Sequence, residues 1–265
     1  MEWEGGRESG DVEDRRGLGP AHIGGIGAGG VVLALIGYFV FGISPSSTLS
    51  ALSGGGGAPV EQQQGVRGTP ADHAGRFVDV VSTSVNDVWT QIFRKQGRSR
   101  CRSAMGPFYC PNDQKVYLDL AFWQELSGRF GAQGDAARAY VIAHEIGHHV
   151  QNLLGETRQA ERLGAHGPTS GSVRLELQAD CYAGVWAAHA AEVSGGKVAL
   201  DPKDIEDGLR AASAVGDDTL QKETQGQVVP DSFTHGTSAQ RTRWFHTGVT
   251  TGDPAACDTF GADSL

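Results

Sequence analysis

Two histidines one helical turn apart carry the most chemistry in this sequence. Residues 144–148 read His-Glu-Ile-Gly-His. On an α-helix, positions i and i+4 share one face, so His144 and His148 can each aim a ring nitrogen at one ion. Zinc accepts imidazole nitrogen and favours four ligands in a tetrahedron. Glu145 is rotated by about 100° from His144 around the helix axis. It does not share the coordination position, but its carboxylate can reach a water at the metal, where a general base belongs. Tyr140, Val141, Ile142, Ala143 and Val150 flank the motif with apolar surface. Burying an unpartnered His and Glu in such a stripe is costly, and a metal ion removes that objection. Gly147 costs about 1 kcal/mol against Ala in a helix interior, so another chain segment is expected to approach there. His149 points away from this face.

A catalytic zinc usually keeps three protein ligands and one open position. Residues 175–186 read LELQADCYAGVW, which puts Glu176 and Asp180 at i and i+4 on an expected helix. Glu176 could complete a His, His, Glu set. Asp180 could accept the free ring N–H of a ligand histidine and fix its tautomer. Glu192, His166 and His189 are the other candidates for the third position. Cys181 lies about 100° off the face of Asp180 and is not a ligand candidate.

The elements that must position these residues are mostly helices. Apolar residues at helical spacing predict helices over 72–95 and 135–154, the second with Asp135 as N-cap and Gly155 as its stop. Further helices are expected near 171–193, 202–214 and 238–247. Residues 97–113 look like a loop. Residues 115–120 (KVYLDL) alternate as a strand does, and such a strand could run along the cleft and pair with an extended peptide. The fold class expected is α+β, a mainly helical catalytic domain with a small sheet, and a cleft between them.

The rest of the chain supplies an address. Hydrophobic residues make up 39% of its 265 residues and the formal net charge is −9. No basic cluster with interleaved aromatics occurs, which argues against a nucleic-acid partner. Residues 1–21 are polar, without hydrophobic periodicity, and read as a disordered cytoplasmic tail. Residues 23–43 carry no charge, and about 20 apolar residues suffice to span a bilayer. The boundaries expected are a tail at 1–21, a transmembrane anchor at 22–43, a flexible Gly/Ser/Pro/Gln linker at 44–70 and a catalytic domain at 71–265. Arg7, Arg15 and Arg16 before the span orient a single pass with the domain on the extracytoplasmic side. Membrane lipid is then a partner through the N-terminal helix. Four cysteines would suit two disulfides in that compartment: Cys101 with Cys110 around a short loop, and Cys181 with Cys257, unless Cys181 is a buried free thiol.

Several separated blocks resemble one family. Gly106-Pro-Phe-Tyr-Cys-Pro111, Lys115-Val-Tyr-Leu-Asp119, Ala139 to Gln151 around the His-Glu pair, and Ser232-Phe-Thr-His-Gly-Thr-Ser-Ala-Gln-Arg241 with Trp244-Phe245 resemble the neutral zinc metallopeptidases of bacterial envelopes. The order His-Glu-x-x-His then Glu-x-x-x-Asp is similar to gluzincin membrane peptidases. The resemblance implies a zincin-like fold, one Zn2+ per chain held by His144, His148 and Glu176, with Asp180 behind them. It implies a membrane-anchored endopeptidase acting on peptides or proteins, with Glu145 as base. His235, in a Thr-His-Gly-Thr segment resembling a Thr-His-Pro segment of gluzincins, is the implied oxyanion donor, with His246 as runner-up. The alternative function is a zinc-binding envelope assembly or binding protein that cleaves nothing.

Overall fold

The computed structural model describes residues 1–14, 16, 65–95, 108–110, 115–117 and 134–265. It divides into two units, Met1–Val12 with Thr69–Leu265, and Glu13–Gly68. In the second unit, β1 (Glu13–Asp14) pairs antiparallel with β2 (Val66–Arg67), Glu13 opposite Arg67. The expected anchor at 22–43 and most of the linker lie outside the described residues. Among the described residues, no helix is long and apolar enough to cross a membrane.

The first unit is mainly helical, with seven α-helices among its described residues. The first is α1 (His73–Lys95), which buries Phe77, Val80, Val81, Val85, Val88 and Trp89 along one stripe. A short ladder follows: β3 (Phe108–Cys110) runs antiparallel to β4 (Lys115–Tyr117), Phe108 opposite Tyr117. Then come α2 (Asp135–Leu154), α3 (Glu156–Arg162), α4 (Gly171–Ser194), α5 (Pro202–Ala214), α6 (Asp217–Gln225) and α7 (Ser238–Thr251). Helix α4 buries Val173, Leu177, Cys181, Tyr182, Val185 and Trp186, more than one stripe's worth. It is the central element, packing against α1, α2 and α7. Its crossing with α7 needs two glycines: a Cβ on Gly248 would lie 1.9 Å from the Cys181 carbonyl oxygen, and one on Gly184 would lie 2.2 Å from that of Phe245.

Local chemistry explains where helices start. The Ser170 side chain accepts the Val173 N–H at the head of α4. Asp201 with Asp204 and Thr237 with Gln240 close capping boxes on α5 and α7, each satisfying otherwise orphaned N–H groups. Gly155 ends α2 in the left-handed conformation, which glycine adopts without a Cβ penalty.

Four expectations change. Asp135 is the first residue of α2, and Gly134 is its N-cap; the Asp135 carboxylate instead accepts the Trp3 indole N–H at 2.9 Å. The stretch read as loop contains β3, whose pairing partner is supplied by β4 rather than by its own pattern. Helices α3 and α6 have no apolar stripe to announce them, reading ETRQAER and DDTLQKETQ.

The fourth correction concerns the tail. Residues 1–12 are packed into the same unit as Thr69–Leu265. Trp3 is buried edge-on against Phe77. The Glu2 N–H donates to the Ala199 carbonyl at 2.9 Å, and the Ala199 N–H returns a bond to Glu2 at 3.0 Å. The buried Asp79 carboxylate accepts the Ser9 N–H at 3.0 Å, the Ser9 hydroxyl at 2.9 Å, the Gly10 N–H at 3.1 Å and the Thr69 hydroxyl at 2.7 Å. Burial alone would raise the Asp79 pKa, but the bonds from Thr69, Ser9 and Gly10 hold it below the usual carboxylate value. A short polar segment looks disordered in sequence because its partners stand far away along the chain. Replacing Trp3 with Ala removes a fully packed aromatic and should destabilise the protein by about 3 kcal/mol, read from urea unfolding of the full chain.

Candidate metal centre

Helices α2 and α4 pack closely at the level of the His-Glu motif. A Cβ on Gly147 would meet the Ala179 carbonyl oxygen at 3.2 Å and its Cα at 3.3 Å. This is the close approach that a mid-helix glycine called for. The contact brings Glu176 and Asp180 of α4 opposite His144 and His148 of α2.

Ligand atoms of His144, His148 and Glu176 lie within 4.8 Å of one another. The two Nε2 atoms are 3.1 Å apart. His144 Nε2 stands 3.1 Å from Glu176 Oε2, and His148 Nε2 stands 3.4 Å from Oε1. A tetrahedron with ~2.0–2.1 Å arms has edges of roughly 3.3–3.4 Å, and each nearest donor pair, counting either oxygen of Glu176, lies close to that spacing. The N, N, O donor set fits zinc, and three protein ligands leave a fourth position open.

Each ligand histidine is held from behind. His144 Nδ1 faces Asp180 Oδ1 at 2.8 Å. Because a carboxylate only accepts, this bond puts a proton on Nδ1 and makes Nε2 the nitrogen that can ligate once its own proton is lost. Asp180 is fully buried. It also accepts the Tyr140 hydroxyl, Arg241 Nε at 2.8 Å and Arg241 Nη2 at 2.9 Å. Arg241, from α7, is itself buried, and its Nη2 lies 3.8 Å from Glu176 Oε2. Sequence reasoning gave Arg241 no role. Its only signal was its place at the end of the Thr-His-Gly-Thr-Ser-Ala-Gln-Arg block.

His235 is buried in the turn before α7, and Asp217 at the head of α6 organises that turn. Asp217 Oδ2 accepts the N–H groups of Thr234 at 2.8 Å, His235 at 2.7 Å and Gly236 at 3.0 Å. Its Oδ1 faces His235 Nδ1 at 3.2 Å. His235 is close enough for its charge to act on the Glu176 carboxyl. Glu145 is half-buried on α2 and acts electrostatically on His148. The other candidates are elsewhere. His246 is exposed on α7 beside Thr250. His166 lies in an exposed bend. His189 meets the Gly252 carbonyl at 2.9 Å and Glu192 at 3.7 Å.

Cys181 and Cys257 are disulfide-bonded, which excludes the free thiol. Cys101 lies outside the described residues, so its pairing with Cys110 does too.

The family-level comparison agrees with this geometry. A family described as "Putative neutral zinc metallopeptidase" matches residues 1–101 and 96–260. The chain belongs to this neutral zinc metallopeptidase family. It is 43% identical over 296 aligned residues to the uncharacterized protein YpfJ of Escherichia coli strain K12, covering 98% of this chain and 99% of that one. It is 48% identical over 222 residues to the uncharacterized protein Rv2575 of Mycobacterium tuberculosis strain H37Rv, covering 74% and 75% of the two chains. No solved structure matches the chain.

Without metal, the site is an interlocked set of charges. Burial works against a charged His144, but the Asp180 charge and hydrogen bond raise its pKa from 6.5 to about 10. His148 moves up against the same desolvation, drawn by Glu176. Burial pushes the Glu176 carboxyl up, yet the His148 and His235 charges, with bonds from both ligand histidines, hold it well below its ordinary value. A raised His144 pKa contributes stability that is complete below about 6.5 and is lost as pH climbs toward 10. Urea unfolding of the chelator-treated protein should therefore show declining stability across that window. Zinc must displace these protons to bind, so its affinity should rise over the same interval. A flat metal-free stability profile would contradict the charge arrangement.

Proposed function

We propose that this protein is a zinc-dependent endopeptidase. The observation that carries the proposal is the convergence of His144, His148 and Glu176, with donor atoms within 4.8 Å of one another, next to Glu145 on the same helix. When bound there, zinc would lower the pKa of a water toward ~7 and polarise the scissile carbonyl. Glu145 takes the water's proton and passes it to the leaving amine, the work of a general base and then a general acid. His235, oriented by Asp217, donates to the oxygen of the scissile carbonyl as negative charge builds on it. Arg241 and Tyr140 keep Asp180 in place, and Asp180 keeps His144 in the tautomer that can ligate. A zinc-binding protein without turnover would need the ligands and Asp180 but would have no use for Glu145.

The full chain should contain one zinc and hydrolyse peptides. Glu145→Gln should keep the zinc while activity falls by about 10²–10⁴-fold. Undiminished hydrolysis by that variant, or a wild-type protein that takes up no zinc, would sink the proposal.

Localisation belongs to the same proposal. The uncharged run at 23–43, within the anchor expected at 22–43, is assigned to membrane attachment, and the Cys181–Cys257 disulfide supports an oxidising compartment for the catalytic unit. The packing of residues 1–12 on that unit asks the N-terminus to share its side of the membrane. Glu2 and Ala199 exchange both backbone bonds, a pairing whose Cα atoms stand about 5.5 Å apart, within disulfide range. Cysteines at both positions, Glu2→Cys with Ala199→Cys, should cross-link in intact cells, as read by mass spectrometry. Failure to cross-link there, with cross-linking in the purified protein, would separate the two segments across the bilayer.

A further inference from the structure

Among the described residues, the rear nitrogen of His148 meets an amide and no carboxylate. Its Nδ1 faces Gln151 Oε1 at 2.8 Å. A glutamine amide can turn either end toward an imidazole, so this contact alone does not settle which ring nitrogen carries the proton. The surroundings of Gln151 do settle it. Gln151 Nε2 donates to the Leu175 carbonyl at 2.6 Å and to Gln178 Oε1 at 3.0 Å. Turning the amide over would press Oε1 against the Leu175 carbonyl oxygen, acceptor on acceptor. Gln178 is pinned in the same sense: its Nε2 donates to the Cys257 carbonyl at 3.2 Å, which can only accept. Gln151, Gln178 and Cys257 are buried, so water does not offer these groups other partners.

The far end of this chain of bonds is firmly held. Cys257 is tied to Cys181 of α4 by the disulfide. The Thr259 N–H also donates to the Cys257 carbonyl at 2.9 Å, and the Thr259 hydroxyl donates to the Arg174 carbonyl at 2.7 Å. Arg174 Nη1 returns to the Thr259 carbonyl and, at 3.2 Å, to that of Ala262.

We propose that Gln151 and Gln178 are positioning residues for the metal: a one-way amide relay, anchored at the Cys257 carbonyl, sets His148 in its Nδ1–H tautomer and leaves Nε2 free to ligate. The proposal rests on the zinc reading and deepens it. The two ligand histidines are then prepared by different means, His144 by a buried carboxylate and His148 by neutral amides whose direction is dictated from the C-terminal segment.

The test is zinc affinity, by competition with a chromophoric chelator, for full-length wild type, Gln151→Met, Gln178→Met and the double variant. Methionine keeps the length of the side chain and removes the amide. Gln151→Met should weaken zinc by about 10–100-fold, the usual effect of losing a ligand's supporting partner. Gln178→Met should weaken it by less, because the Leu175 carbonyl still orients Gln151. The double variant should bind no worse than Gln151→Met, since Gln178 acts only through Gln151. Nitrogen chemical shifts of His148 in the metal-free protein, read at a pH high enough for the imidazole to be neutral, should show one tautomer in wild type and a mixture in Gln151→Met. Wild-type affinity in Gln151→Met, or losses that multiply in the double variant, would overturn the relay. Should Gln151→Met not fold, an affinity in Gln178→Met equal to wild type would do the same. A wild type that binds no zinc would refute the metal reading itself, a distinct result.

Discussion

The buried pairing of Asp180 with Arg241 is the interaction on which the rest of the site depends. Its two partners come from α4 and α7, and it reaches α2 through Tyr140 and His144. Arg241 also donates to the Val215 carbonyl at 3.2 Å, where α5 ends. Four helices thus meet around one carboxylate. A buried ion pair is poor evidence for net stability, because desolvation offsets most of its attraction. Breaking it is another matter, since either partner left alone is an uncompensated buried charge. The pair therefore acts as a constraint on geometry. Helix α7 cannot rotate or slide on α4 without stranding a charge, and the glycine contacts at Gly184 and Gly248 leave no room for such movement.

Charge balance explains why the cluster is tolerable. Glu176 and Asp180 bring two negative charges and Arg241 one positive charge; an ionised Glu145 makes the surroundings doubly negative. A divalent cation neutralises that sum. In its absence, protons on His144 and His148 do the same work, which is why both imidazoles are drawn toward the charged form despite burial. The pocket would thus stay near neutrality with or without a bound metal. A metal would change only which positive charges supply the balance.

Most of the site was legible in the sequence because it is built from helices with short periods. The i, i+4 rule placed His144 with His148 and Glu176 with Asp180, and the apolar flanks told which faces were inward. Gly147 even marked the crossing point. The parts that were not legible are those specified across long sequence distances. Arg241 sits 61 residues from Asp180, and nothing in its own neighbourhood marks it as buried. The orientation of Gln151 depends on Leu175 and Gln178, and that of His235 on Asp217. Short polar helices such as α3 carry no stripe, and β3 exists only through its partner β4. The N-terminal segment failed for the same reason: it has one large apolar anchor, Trp3, and its bonds reach distant residues such as Asp79, Asp135, Ala199 and Asp204.

That segment also imposes an order on events. Residues 1–12 are made before the unit on which they dock, and the surfaces they need are completed only when residues 199 and 204 have been made. Trp3 waits for Phe77 and Asp135, and Glu2 waits for Ala199, about three quarters of the way along the chain. Closing so long a loop is slow relative to local helix formation, so docking of the N-terminus belongs to the last stage of assembly. These early residues are then among the last to be folded, and they seal the starts of α1 and α2 after the helices themselves are in place.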